Sequence, residues 1–223
     1  MDRQQISRLA HADHPIAAPL DDASVRGLLA RAVPRGDARV LDLGCGGGGE
    51  WLLRALTEHP RLTAEGVDVS EVPLAHARAA ADRLGVTDRL VLHHEDAARF
   101  TAPHRFDLVL CVGATHAFGG LPAALAAARE HLAPGGRVLV GDGFWDGEPS
   151  AEAVGMLGDL TDLATTLDRV VADGWTPGRR AHQHPPGTRR LRVVLDRVAG
   201  LLGPGPPRPP RQRAGARGGH RPP

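Results

Sequence analysis

Short apolar runs alternate along the chain with longer stretches in which apolar positions recur every three or four residues. The runs over 39–43 (RVLDL), 62–69 (LTAEGVDV), 90–93 (LVLH), 106–112 (FDLVLCV) and 137–140 (RVLV) are nearly continuous apolar blocks. That is the pattern of strands buried on both faces. Helices are predicted between them. One starts at Asp22 or Ser24, either of which can cap it, and runs to about 33 with Leu28 and Leu29 facing the core. Another follows a glycine cluster over 50–56. An alanine-rich helix over 73–84 is stopped by Gly85. A helix over 122–132 ends at the turn APGG, and a last one covers about 150–172. Strands alternating with helices predict a doubly wound α/β fold, a mostly parallel sheet with helices on both faces. Residues 1–177 read as one domain with a helical arm over 1–36, whose first twenty residues mix Ile6, Leu9, Ile16 and Leu20 with His11, His14, Pro15 and Pro19.

Charge changes the picture at the C-terminal end. Residues 1–177 hold 16 Arg and 25 acids, a balance of −9, whereas 178–223 hold 11 Arg and one acid, Asp196, a balance of +10. So abrupt a switch, in a stretch rich in Pro and Gly, predicts a disordered tail in which only 191–202 has the composition of an ordered segment. It lacks interleaved aromatics, so its charge supports no specific nucleic-acid partner. If its codons are GC-rich, the stretch from Gly178 onward can spell acids, tyrosine and tryptophan when read one base out of frame, which makes the tail a candidate frameshift product and the C-terminal strands candidates for being missing or altered.

Composition adds bounds. Aromatic residues make up 3% of 223, with no tyrosine, so Leu, Val and Ala must build the core. Two cysteines, Cys45 and Cys111, have neither metal-ligand nor disulfide-framework spacing and suit a reducing cytoplasm. The twelve histidines place no H-x-x-x-H or carboxylate-paired set on one rigid element, so no metal site is expected. No apolar stretch approaches the length of a membrane span.

The chemistry concentrates in VLDLGCGGG at 40–48 and AEGVDVS at 64–70. The first is an apolar strand closing on Asp42, then a loop carrying Gly44, Gly46 and Gly48. Glycine lets the loop turn tightly and bring its backbone close to a ligand, with the amides of the next helix facing it. Asp68, ending the neighbouring strand, can accept both hydroxyls of a ribose. The unit is one that holds a nucleoside. Each acid also has a plainer role open to it: Asp42 as a cap for loop amides, Asp68 as a solvated strand end, Asp96 as a helix cap before Ala97.

Taken together, D-x-G-x-G-x-G (Asp42, Gly44, Gly46, Gly48), the acid Asp68, E-D-A at 95–97, the strand FDLVLCVGA and L-A-P-G-G-R-V-L-V resemble the class I S-adenosylmethionine-dependent methyltransferases over about 38–145. The resemblance implies a Rossmann-like fold and methyl transfer from S-adenosyl-L-methionine to a small-molecule nucleophile. It implies that Asp42, Gly44, Cys45, Gly46 and Gly48 cradle the methionine half of the cofactor. Asp68 and Val69 would serve the ribose side, Asp96 and Ala97 the adenine edge, and Cys111, Val112 and Gly113 the floor. It also implies a seventh, antiparallel strand near the C-terminus, which the sequence does not reveal. His116, past the fourth strand, is the candidate general base; packing under its loop is the equally open alternative. His11 and His14 are candidates for a lid. Gly44, Gly46 and Gly49 also satisfy G-x-G-x-x-G, which leaves an NAD(P)-dependent oxidoreductase as an alternative, beside an inactive methyltransferase-like protein.

Overall fold

The computed structural model describes residues 20–47, 49–145, 147–157, 160–181 and 198–204. Its strands are β1 (Arg39–Leu43), β2 (Thr63–Asp68), β3 (Leu90–His94), β4 (Phe106–Val112), β5 (Leu132–Asp142), β6 (Trp175–Ala181) and β7 (Val198–Pro204), in one sheet of order β3-β2-β1-β4-β5-β7-β6. The five strands from β3 to β5 run parallel. β7 lies antiparallel between β5 and β6. From β1 the chain steps to β2 on one side and returns to β4 on the other. The crevice at that reversal, beyond the carboxyl ends of the strands, is where open α/β sheets bind ligands.

Side-chain alternation along the strands divides the core in two. Val40, Leu108, Leu110 and Leu139 pack on one face with Leu28 and Leu29 of α1 (Asp22–Ala32), Leu52 and Leu56 of α2 (Glu50–Glu58), and Leu74 and Ala81 of α3 (Glu71–Leu84). Leu41, Leu43, Val109, Val138 and Val140 pack on the other with Ala124, Leu125 and Ala128 of α4 (Leu121–His131). Phe100, Phe106 and Trp175 fill the same side. Strands covered on both faces leave no polar alternation, which is why they read as apolar blocks in the sequence.

Four details depart from the sequence reading. The helix predicted over 150–172 is two helices, α5 (Ala151–Leu157) and α6 (Leu163–Ala172). The break has a cause: Asp162 caps α6, its Oδ1 accepting from Thr165 N at 2.9 Å. The fifth strand begins five residues earlier than its apolar core, because Leu132 already pairs with Phe106 before a register shift. The glycine-bearing segment after β4 contains a 3-10 turn over Thr115–Phe118. Finally, the strand the sequence did not reveal lies at Val198–Pro204, and the sheet crosses the boundary drawn at Pro177. Backbone ladders do not require apolar alternation, so a glycine- and proline-bearing strand gives little periodic signal. The remaining tail, 182–197 and 205–223, and the lid candidates His11 and His14 lie outside the described residues.

Candidate active site

Asp42 is the penultimate residue of β1, and just beyond Leu43 the chain turns through Gly44, whose φ of 86° is left-handed. A Cβ added there would stand 2.3 Å from the Ala114 Cβ, closer than two carbons can approach, so the loop after β1 and the end of β4 meet through a glycine. The amides of Gly44 and Cys45 both donate to the Val67 carbonyl, at 2.9 and 3.0 Å, which lays the loop across the end of β2. Gly49, also left-handed, caps α2.

Asp68 joins these pieces. Its Oδ2 accepts from Gly46 N at 2.8 Å and its Oδ1 from Ser70 N at 2.8 Å. A carboxylate receiving two main-chain amides is held in one orientation. Its own carbonyl accepts from Glu95 N at 3.0 Å, bringing the start of the β3–β4 connection beside it. Next to Asp68, Val69 is 59% exposed and Val72 is 61% exposed. Two open aliphatic side chains beside a fixed carboxylate form a surface with an apolar and a polar edge.

Asp42 differs. It is 2% exposed, and burial, followed by the negative charge of Asp68, lifts its carboxyl from the ordinary 3.8 to about 7. Cys45 and Cys111 are buried, and burial pushes both thiols up; the charge of Asp42 adds to each, with Asp68 acting on Cys45 and Asp142 on Cys111. Asp42, Asp68 and Asp142 stand at or next to the carboxyl ends of β1, β2 and β5, strands that run parallel and so bring all three to one edge of the sheet. Asp142 Oδ1 accepts from Gly143 N at 2.8 Å.

The other sequence candidates divide. Asp96 is exposed and its Oδ1 accepts from Ala98 N at 2.9 Å, so it caps the turn that buries Ala97. One of its oxygens is thereby used as the plainer reading required. Cys111 is 1% exposed, so its side chain belongs to the core; Val112 and Gly113 are only half-buried. Gly113 has φ 74° and donates to Gly141 O at 2.8 Å. His116 is exposed on the 3-10 turn, one residue beyond the buried Thr115, and is not packed beneath its loop. Gly48 lies outside the described residues. Phe144 and Trp145 are buried at 4% and 6%.

Ala114, which the family resemblance places with Cys111 to Gly113 on the cofactor floor, meets Gly44 through its methyl. Sequence reasoning missed Ser70 and His94. Ser70 acts through a main-chain amide, which no motif specifies. His94 stands in HHEDA, where a histidine at a strand end carries no signal until its neighbour across the sheet is known.

The residues fit a cofactor that is at once cationic, apolar along one ring and hydroxylated. Buried and fixed carboxylates, open valines and a glycine loop whose amides lie beside them match those three requirements. The family model described as a methyltransferase domain matches residues 40–136. The YjhP protein of Escherichia coli K12 is 32% identical over 196 residues, 78% of this chain and 77% of that one. Trans-aconitate 2-methyltransferase of Streptomyces avermitilis is 37% identical over 131 residues, 57% of this chain and 46% of the relative. The methyltransferase of Geobacter sulfurreducens solved with S-adenosyl-L-homocysteine superposes with a TM-score of 0.72 at 28% identity, covering 79% of this chain and 73% of that one. By its glycine loop, second-strand acid, strand order and these likenesses, the chain belongs to the class I S-adenosylmethionine-dependent methyltransferases.

Proposed function

We propose that the chain transfers a methyl group from S-adenosyl-L-methionine to a small-molecule nucleophile. The cofactor, when bound, supplies an electrophilic methyl on a sulfonium. Asp68 and Val69 then hold the ribose side, Asp96 and Ala97 the adenine edge. Asp42 with the loop carrying Gly44, Cys45, Gly46 and Gly48 receives the methionine half, and Val112 and Gly113 close the floor above the buried Cys111. His116, exposed at the carboxyl edge of β4, takes the proton of the acceptor hydroxyl or amine. Placement of the acceptor supplies most of the rate, since a sulfonium methyl needs in-line approach more than it needs a base.

The observation that carries the reading is the bond from Gly46 N to Asp68 Oδ2 at 2.8 Å, which unites loop and acid in one cleft. The small acceptor is supported by relatives named for trans-aconitate and for 27-O-demethylrifamycin SV, the latter 32% identical over 56% of this chain and 47% of its own length. Among the described residues no helix is long and apolar enough to cross a membrane.

Titrating purified protein with S-adenosyl-L-homocysteine by calorimetry tests the cofactor site. Asp68→Ala should weaken binding by about 1–3 kcal/mol, the cost of lost hydrogen bonds to a charged oxygen. Unchanged affinity would remove Asp68 from the site. Incubation with methyl-labelled cofactor and a cell extract tests the acceptor: label should enter the small-molecule fraction, and label confined to precipitated protein or RNA sinks that part of the reading.

A further inference from the structure

We infer that His94 is a positioning residue for the adenosine half of the cofactor, acting by clamping the peptide between Val69 and Ser70; this rests on the assignment of Asp68 to the ribose. His94 ends β3 and is the register partner of Asp68 at the end of β2. Its Nε2 lies 3.0 Å from the Val69 carbonyl oxygen. A carbonyl only accepts, so Nε2 carries the proton and donates.

The same peptide unit carries the Ser70 amide, which donates to Asp68 Oδ1 at 2.8 Å. A peptide is planar, so fixing the direction of its carbonyl fixes the direction of its N–H. His94 grips one end of this plane and Asp68 the other. Val69 and Val72 are too exposed to hold the segment by packing. Glu95 N, bonded to the Asp68 carbonyl, restrains the preceding peptide only. Without His94 the 69–70 peptide can turn, and Asp68 loses one of the two amides that aim its carboxylate.

On its other side, Nδ1 of the ring stands 3.4 Å from Glu71 Oε2, while the other oxygen of Glu71 is paired with Arg78. Arg78, Glu71 and His94 thus stand in a row from α3 to the Val69 carbonyl.

The test is calorimetry of the full chain with S-adenosyl-L-homocysteine for the parent, His94→Ala, His94→Gln and Asp68→Ala. His94→Ala should bind roughly threefold to tenfold more weakly, the equivalent of one hydrogen bond. His94→Gln, whose amide can donate where Nε2 does, should return to within about twofold. Thermal midpoints should barely differ, since the His94 side chain is 53% exposed. If Asp68→Ala weakens binding but His94→Ala binds like the parent, the inference about His94 falls alone. Should His94→Ala and His94→Gln be equally weak, donation to Val69 is not what matters, and the clamp is wrong. If Asp68→Ala also binds like the parent, the ribose assignment fails and takes this inference with it.

Discussion

Asp42 should make the ligand-free fold less stable at neutral pH than in mild acid. Its carboxyl is raised from 3.8 to about 7, first by burial and then by Asp68. Between those two values the folded chain keeps a proton that the unfolded chain has already released. The stability contributed by the protonated group is therefore complete below about pH 4, declines as pH rises, and is gone above about pH 7. At roughly 1.4 kcal/mol per pH unit, a rise from 3.8 to about 7 corresponds to about 4 kcal/mol, an upper bound because water entry relieves a buried charge. Asp42→Asn keeps the shape and removes the titration. Denaturant unfolding of both chains at pH 5 and pH 8, without ligand, measures it. Only about two pH units lie between pH 5 and the folded titration near 7, so the parent should lose up to about 3 kcal/mol more than the variant between the two conditions, and the variant should be the more stable at pH 8. Parallel pH profiles for the two chains would refute a buried, proton-holding Asp42. The same variant should bind S-adenosyl-L-methionine less well, and lose less affinity for S-adenosyl-L-homocysteine, which lacks the sulfonium charge, if the carboxylate faces that cation.

Three further outcomes follow from the site's geometry. Gly44→Ala puts a Cβ into a left-handed backbone and 2.3 Å from Ala114; it should cost at least about 2 kcal/mol by denaturant unfolding. Adding Ala114→Gly should recover the steric part and leave the backbone part, whereas full recovery would show that φ at this position is unstrained. Cys45 and Cys111, buried with thiols pushed up, should resist a thiol-specific reagent in the native protein and react on unfolding; rapid native labelling of either would contradict that burial. Truncation after Ala181 removes β7 and with it the ladder pairing Val138 to Leu202 and Asp142 to Val198. The thermal midpoint should fall by several degrees, and an unchanged midpoint would favour the frameshift reading of the tail, which resequencing around codon 177 tests directly.

The parallel half of the fold was legible because burial on both faces writes itself into composition. Phe106, Leu108, Val109, Leu110 and Cys111 are all buried, and a run of that kind admits no helix of ordinary amphipathic pattern. The glycine loop was legible for a related reason, since left-handed backbone at Gly44, Gly47 and Gly49 restricts which residue can stand there. What escaped was whatever depends on main-chain partners. β7 is held by a backbone ladder, and the Ser70 amide and Val69 carbonyl would serve equally well under other side chains. The break before α6 was the exception, because Asp162 before a helical run was visible as a cap and was overlooked within a longer apolar period.

The crevice holds its acids in different ways, and the difference bears on turnover. Asp68 is fixed by two amides as a structural part of the loop. Asp42 is buried, and its charge is costly until something positive arrives. Asp142 adds negative potential from β5, felt at Cys111. Were the proposed site to hold the cofactor's sulfonium, all three acids would attract it, and it would drive Asp42 to its ionised form at neutral pH. After methyl transfer that positive charge would be gone, and Asp42 would regain its preference for the proton. The edge would then bind donor more strongly than product by an electrostatic difference built into the strand ends, with Asp68 holding the shape constant while Asp42 supplies the change.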